Sequence, residues 1–275
     1  MKRIFWTIRP RVIWVSVAIF MAIAAIVTTL VCIFARTPAS QPANTTPESS
    51  ISQQEVSSPE ESQITTAATI PIPASEEVDD AYFSNTLFIG NSITEGFKSF
   101  SGLDTPTYYE GRGMTVESIH RMKIVNEDNS PNGDGTGVKT VIDALQERQF
   151  DQIYLLMGAN ELGWVYPDLF IEQYAQLIDT IRTLQPQAKL CVQSVLPVSA
   201  ERSETDSVYN NPKINALNEM ILQMAREKQV SYLNAAEAFQ DETGALPAEK
   251  TPDGIHLSPE ACQEWRTYIK THIIP

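Results

Sequence analysis

The apolar positions of this chain fall into three regimes. From residue 12 to 34 they are nearly continuous, broken only by Ser16, Thr28 and Thr29. From 37 to 80 they are scattered, and no aromatic residue occurs. From 81 onward, short apolar runs alternate with longer amphipathic stretches. The short runs, residues 86–89, 107–109, 152–157, 189–196 and 230–233, have the length and composition of strands. Between them, Val138, Val141, Ile142 and Leu145 form a stripe of helical period. Phe170, Tyr174, Leu177, Ile178, Ile181 and Leu184 form a second, and Ile214, Leu217, Ile221 and Met224 a third. Such stripes predict helices that bury one face. A last helix is expected to begin at Ser258-Pro259-Glu260, with Ser258 as N-cap and Pro259 in the first turn. Strands alternating with helices predict an α/β fold, a parallel sheet covered by helices on both faces.

The first regime reads as a membrane anchor. Its 23 residues, at about 1.5 Å each, match a hydrocarbon core of about 30 Å. It is too long for the core of a signal peptide, and no small-x-small cleavage site follows it. Lys2, Arg3, Arg9 and Arg11 precede the run and Arg36 alone follows it, which places the N-terminus in the cytoplasm and the remainder outside the cell membrane. Residues 1–36 are thus expected to be a single-pass signal-anchor. Residues 37–80 contain no Lys or Arg and eight acidic side chains. A segment of that composition buries too little apolar surface to fold and is expected to be a disordered tether, reaching roughly 35–40 Å. Asn44-Thr45-Thr46 fits a glycosylation acceptor in a host that glycosylates there. Residues 81–275 are then one domain.

Charge narrows the partners. The whole chain carries a formal −14, and the outer domain holds 15 basic and 26 acidic residues. This argues against nucleic acid and against docking on anionic lipid. Of three cysteines, Cys191 and Cys262 lie in the outer domain, where two unpaired, buried thiols are the favoured reading over a disulfide. Three histidines in all, and no Cys/His cluster of zinc spacing, predict neither metal nor cofactor. The polar, glycine-rich residues 126–137 resemble a calcium loop only in composition, and their spacing does not fit.

In parallel sheets, sites form beyond the carboxyl ends of the strands. Four segments there carry unusual residues. Gly90-Asn91-Ser92 puts a hydroxyl at a helix start, where backbone N–H groups point outward; it equally suits an ordinary turn with Ser92 as N-cap. Gly111-Arg112-Gly113 offers an N–H unobstructed by a side chain. Gly158-Ala159-Asn160-Glu161 offers an amide. Asp253-Gly254-Ile255-His256 pairs an imidazole with a carboxylate three residues earlier. A serine hydroxyl needs a base to become a nucleophile, and a base needs an orienting partner. His120, in an expected surface helix, and His272, at an expected fraying terminus, are the remaining histidines.

Taken together, the four segments resemble the four blocks of the SGNH hydrolase superfamily, also called GDSL esterases, in the family's order. The resemblance spans residues 84–274. It implies a three-layer α/β/α sandwich around a central, mostly parallel five-stranded sheet of flavodoxin-like kind. It also implies Ser92 as nucleophile, His256 as base, Asp253 as its partner, and an oxyanion hole of Ser92, Gly113 and Asn160. Residues 160–164 and 192–198 further resemble a bacterial, membrane-tethered branch. Two departures stand out: Asn91 replaces the usual Asp of the first block, and Glu161 the usual Asp after Asn160. The expected activity is that of an extracytoplasmic serine esterase releasing short acyl groups, acetyl first among them, from an acylated glycan or small ester. Acyl transfer on the same triad and a catalytically dead glycan-binding module are the alternatives. Tyr108, Tyr109, Glu161 and Trp164 are candidate substrate contacts, the aromatic ones able either to stack on sugars or to pack beneath the loops. Oligomeric state is left open.

Overall fold

The computed structural model describes residues 70–275, Asp134 excepted. The expected membrane anchor, the tether as far as residue 69 and Asn44 lie outside the described residues. Among the described residues no helix is long and apolar enough to cross a membrane.

Five strands form the sheet: β1 Thr86–Gly90, β2 Thr107–Glu110, β3 Gln152–Leu156, β4 Lys189–Gln193 and β5 Ser231–Leu233. Their order is β2-β1-β3-β4-β5 and every pairing is parallel, so the expected sheet is observed and is wholly parallel. β1 and β3 are buried along their whole length, because helices cover both faces. Alternate residues therefore enter different cores. Leu87, Ile89, Ile153 and Leu155 join one cluster; Phe88, Tyr154 and Cys191 join the other. Phe88 stacks on Tyr154 at 4.9 Å between ring centroids. Cys191 and Cys262 are buried, free thiols in that second cluster.

Among the described residues there are six α-helices: α1 Ser92–Phe100, α2 Val141–Glu147, α3 Pro167–Leu184, α4 Ala200–Thr205, α5 Asn211–Lys228 and α6 Pro259–Lys270. The stripes of α3 and α5 and the Ser258 cap of α6 are as the sequence predicts. The stripe assigned to α2 starts too early. A capping box between Thr140 and Asp143 begins this helix at Val141, leaving Val138 outside it and 51% exposed. The short, polar α4 has no apolar period and is not predicted.

The tether boundary also moves. Residues 70–80 are packed on the domain rather than loose. Ile72 is buried, and its N–H pairs with Tyr232 O of edge strand β5 at 2.8 Å. Ser75 and Val78 donate to Thr271 O and Lys270 O at 2.6 and 3.1 Å. Lys270 pairs with Glu77 and Asp80, and Arg266 with Asp80. The buried Ile72, the partly buried Val78 and a set of acids matched to one basic helix end outweigh a composition that otherwise reads as linker.

Candidate active site

The strand order reverses between β1 and β3, the point at which α/β sheets open a crevice. Ser92 follows β1 and Asn160 follows β3 at that edge. The turn from β1 into α1 is tight: a Cβ on Gly90 would lie 1.9 Å from Thr94 Oγ1 and 3.1 Å from Leu156 O, so any larger residue would displace Thr94. Asn91, not Ser92, is the N-cap. Its Oδ1 accepts from Ile93 N at 3.0 Å, and its Nδ2 is buried without a partner. Ser92 Oγ is thereby left free to point outward. Replacing Asn91 by Ala is expected to cost about 1 kcal/mol, read in urea melts with an unchanged slope.

Ser92 and His256 are 164 residues apart in sequence, and helix packing brings them together. Phe97 of α1 meets Trp265 of α6 at 4.7 Å between centroids, both rings buried. α6 follows His256 directly, so the contact fixes the imidazole beside the start of α1. The result is a continuous relay. Ser92 Oγ stands 3.0 Å from His256 Nε2, and His256 Nδ1 stands 2.7 Å from Asp253 Oδ2. Asp253 Oδ1 accepts from His256 N and Ile255 N at 2.8 and 2.9 Å. Partial burial alone would raise the Asp253 carboxyl. The hydrogen bonds from the His256 ring and from the two backbone N–H groups outweigh it, and its pKa is lowered. The carboxylate therefore stays ionised where it can hold an imidazolium.

The turn that carries Asp253 is itself braced. Gly254 has φ +84°, and a Cβ on it would meet Ser199 Oγ at 2.8 Å. Ser199 N donates to Gly254 O at 2.9 Å, and Arg202 Nη2 donates to Asp253 O at 2.8 Å. Arg202 is a positioning residue that sequence reading missed, because the polar α4 gives no periodic signal. Arg202→Ala is expected to lower kcat on p-nitrophenyl acetate about 3–10-fold with KM little changed, and Arg202→Lys to recover part of it.

The segments after β2 and β3 are tied to each other. Asn160 Nδ2 donates to Met114 O at 2.8 Å, which leaves one amide hydrogen unused. Glu161 accepts from Val116 N at 2.8 Å and from Gly158 N at 3.0 Å. Gly113 has φ +71° and nothing within 4 Å of where its Cβ would be, so its backbone is open on that side. Gly111 N donates to Gly90 O at 3.1 Å, which seats the same turn beside β1.

Several proposed substrate contacts are corrected. Tyr108 and Tyr109 lie within β2 and are 3% and 0% exposed, so neither can stack on a sugar. Tyr108 bonds Leu103 O, and Tyr109 packs on Phe150 and bonds Asn129 O. Glu161 is 3% exposed and braces the loops instead of facing substrate; burial raises its carboxyl, partly offset by the N–H groups of Val116 and Gly158. Trp164 is half-buried against the first core cluster. His120 is exposed in a 3₁₀ turn, Ser118–His120. His272 does not fray: its ring stacks on Tyr268 at 3.9 Å between centroids and bonds Tyr268 O. Among the described residues no group of three or more His, Cys, Asp or Glu converges as a metal site.

Known structures share this architecture. A Streptococcus pneumonia protein, described provisionally as a platelet activating factor, is 23% identical over 76% of this chain and 85% of its own, with a TM-score of 0.53. A GDSL-like lipase from Bacteroides thetaiotaomicron is 20% identical over 70% of this chain and 86% of its own, with a TM-score of 0.50. A protein from Desulfitobacterium hafniense, provisionally a lipolytic protein of the G-D-S-L family, is 14% identical over 69% of this chain and 99% of its own, with a TM-score of 0.52. At these identities the likeness is one of fold. No curated protein sequence matches the chain. The pattern of the GDSL-like lipase/acylhydrolase family matches residues 88–263, a span that holds every member of the relay. The chain therefore belongs to the GDSL-like lipase/acylhydrolase family, the SGNH hydrolases, and is a carboxylic ester hydrolase.

Proposed function

We propose that this protein is a membrane-tethered serine esterase that removes acetyl groups from a glycan outside the cell. The relay from Ser92 through His256 to Asp253, at 3.0 and 2.7 Å, carries the reading. Ser92 Oγ attacks the ester carbonyl carbon as His256 Nε2 takes its proton. Asp253 Oδ2 holds the Nδ1–H and stabilises the imidazolium. The carbonyl oxygen becomes an oxyanion that receives the Ser92 N–H, the Gly113 N–H and the free Asn160 amide hydrogen. Collapse of the intermediate expels the sugar oxygen, which takes the proton from Nε2. Water then attacks the acyl-Ser92 ester by the same route in reverse, releasing the carboxylic acid and restoring the hydroxyl.

Hydrolysis is favoured over transfer to a sugar hydroxyl because the relay is wet: the His256 and Asp253 side chains are 43% and 45% exposed. The intact relay also speaks against a dead binding module. The extracellular location is supported by the 23-residue apolar run and its basic N-terminal flank. The glycan follows from that location, where wall and capsule polymers supply the esters. Release of free acetate from O-acetylated polysaccharides by the purified chain tests it. Turnover of p-nitrophenyl acetate with no acetate from any acetylated glycan would leave the esterase and remove the glycan; transfer product exceeding free acetate would make it an acyltransferase.

A further inference from the structure

Beside the relay, α1 and the segments after β2 enclose a cleft of about 510 Å³. It is lined by the exposed Arg112, by Glu95 and Lys98, by the buried Glu110, and by the apolar Met122 and Ile124. Glu95 lies one helical turn from Ser92, so their Cβ atoms stand about 5–6 Å apart. Arg112 immediately precedes Gly113. The cleft thus begins where an ester bound at Ser92 would end.

Glu110 distinguishes this cleft from an ordinary charged groove. The residue is 3% exposed, and its Oε1 accepts from Lys98 Nζ at 2.7 Å. Its Oε2 is buried and has no partner. Arg112 turns to Glu95 instead, bonding it through Nε and Nη2. The backbone of Gly133 presses on the carboxylate: a Cβ there would lie 2.6 Å from Glu110 Oε1. A buried carboxylate oxygen with no donor is rare in folded proteins and marks a place where a ligand can supply one.

Volume and charge decide which part of a substrate fits. An acetyl methyl would fill little of the cleft, and a long acyl chain would strip water from four charged side chains with nothing in return. A polyol suits it: hydroxyls donate to the carboxylate and accept from the cations, while C–H faces rest on Met122 and Ile124. Met122 is flexible enough to yield as a ring enters. We propose that this cleft holds the sugar units adjoining the acetylated one, with Glu110 Oε2 accepting a sugar hydroxyl. The inference rests on the glycan reading above and assigns the residues that select for it.

The test compares kcat/KM on p-nitrophenyl acetate with kcat/KM on O-acetylated xylotetraose and O-acetylated chitotetraose. It uses wild type, Glu110→Gln and Ser99→Trp, with melting temperatures as a check on folding. Ser99 is exposed on α1 and lines the cleft, so an indole there plugs it while Glu110 stays in place. The ratio of tetrasaccharide to p-nitrophenyl acetate efficiency is expected to fall about tenfold in both variants, through KM. Should Glu110→Gln fail to fold, Ser99→Trp decides alone. A wild type active on a tetrasaccharide, with the ratio in the folded variants unchanged within about twofold, overturns the cleft and leaves the glycan reading standing. A wild type that turns over p-nitrophenyl acetate but neither tetrasaccharide overturns both.

Discussion

Replacing Ser92 with alanine is expected to lower kcat on p-nitrophenyl acetate by about 10⁵-fold, near 7 kcal/mol of transition-state stabilisation. The change removes the atom that attacks and nothing else of consequence. Ser92 Oγ has one protein partner, His256 Nε2, and Asn91 rather than Ser92 caps α1. The variant should therefore melt within a degree or two of wild type, which separates lost chemistry from lost fold. His256→Ala should fall by a similar factor and, because the two residues act as a unit, the double variant should be little worse than either single one. If Ser92→Ala kept a tenth of wild-type turnover, another nucleophile would have to be sought, and the relay would be only a well-made hydrogen bond.

The second large effect is expected from Glu161→Ala, and it concerns stability as much as rate. Glu161 is buried and satisfies two backbone N–H groups on different loops, those of Val116 and Gly158. Truncation leaves both buried and unpaired, at about 1–3 kcal/mol each, so roughly 3 kcal/mol of unfolding free energy should be lost in urea melts. Turnover should fall at least about tenfold, since Gly113 sits on the loop that loses its brace. Glu161→Asp should recover part of each, the shorter side chain reaching one amide. The wild type carries a pH signature as well. Burial raises the folded Glu161 carboxyl above its unfolded value, so the folded state holds its proton more tightly. That contribution to stability is present below the unfolded value, about 4.3, and is lost as pH rises through the raised folded one. The same decline should be missing from Glu161→Ala. A variant as stable as wild type would mean that water replaces the carboxylate and that the two loops hold themselves.

Much of this site was legible because its members sit at strand ends and helix starts, where local sequence dictates local geometry. The apolar runs of β1 and β3, followed by Gly-Asn-Ser and Gly-Ala-Asn-Glu, announce both the strands and what comes after them. The misreadings share a cause: they depend on what lies across the fold. Tyr108 and Tyr109 fall in a run that reads as a strand, but so short a run does not reveal whether either of its faces is covered. Neighbours in a strand face opposite sides, and here both sides are covered, so both rings are core. Glu161 resembled a substrate contact because nothing near it in sequence reveals two amides waiting, one of them 45 residues away. Arg202 was invisible for the same reason, its partner lying 51 residues on. Residues 70–80 read as linker because their matching charges, Arg266 and Lys270, are about 190 residues downstream.

The strap formed by residues 70–80 also determines where the chain can be severed without harm. β5 ends the sheet, and an uncovered strand edge invites pairing with other chains. Ile72 occupies part of that edge through Tyr232 O. A protease cutting anywhere before residue 70 would leave the edge still covered. A cut between 73 and 80 would detach Ile72 from the body that holds it, baring both the edge and the apolar seat beneath. Cuts a few residues apart would thus have opposite consequences for self-association, one leaving the β5 edge covered and the other baring it.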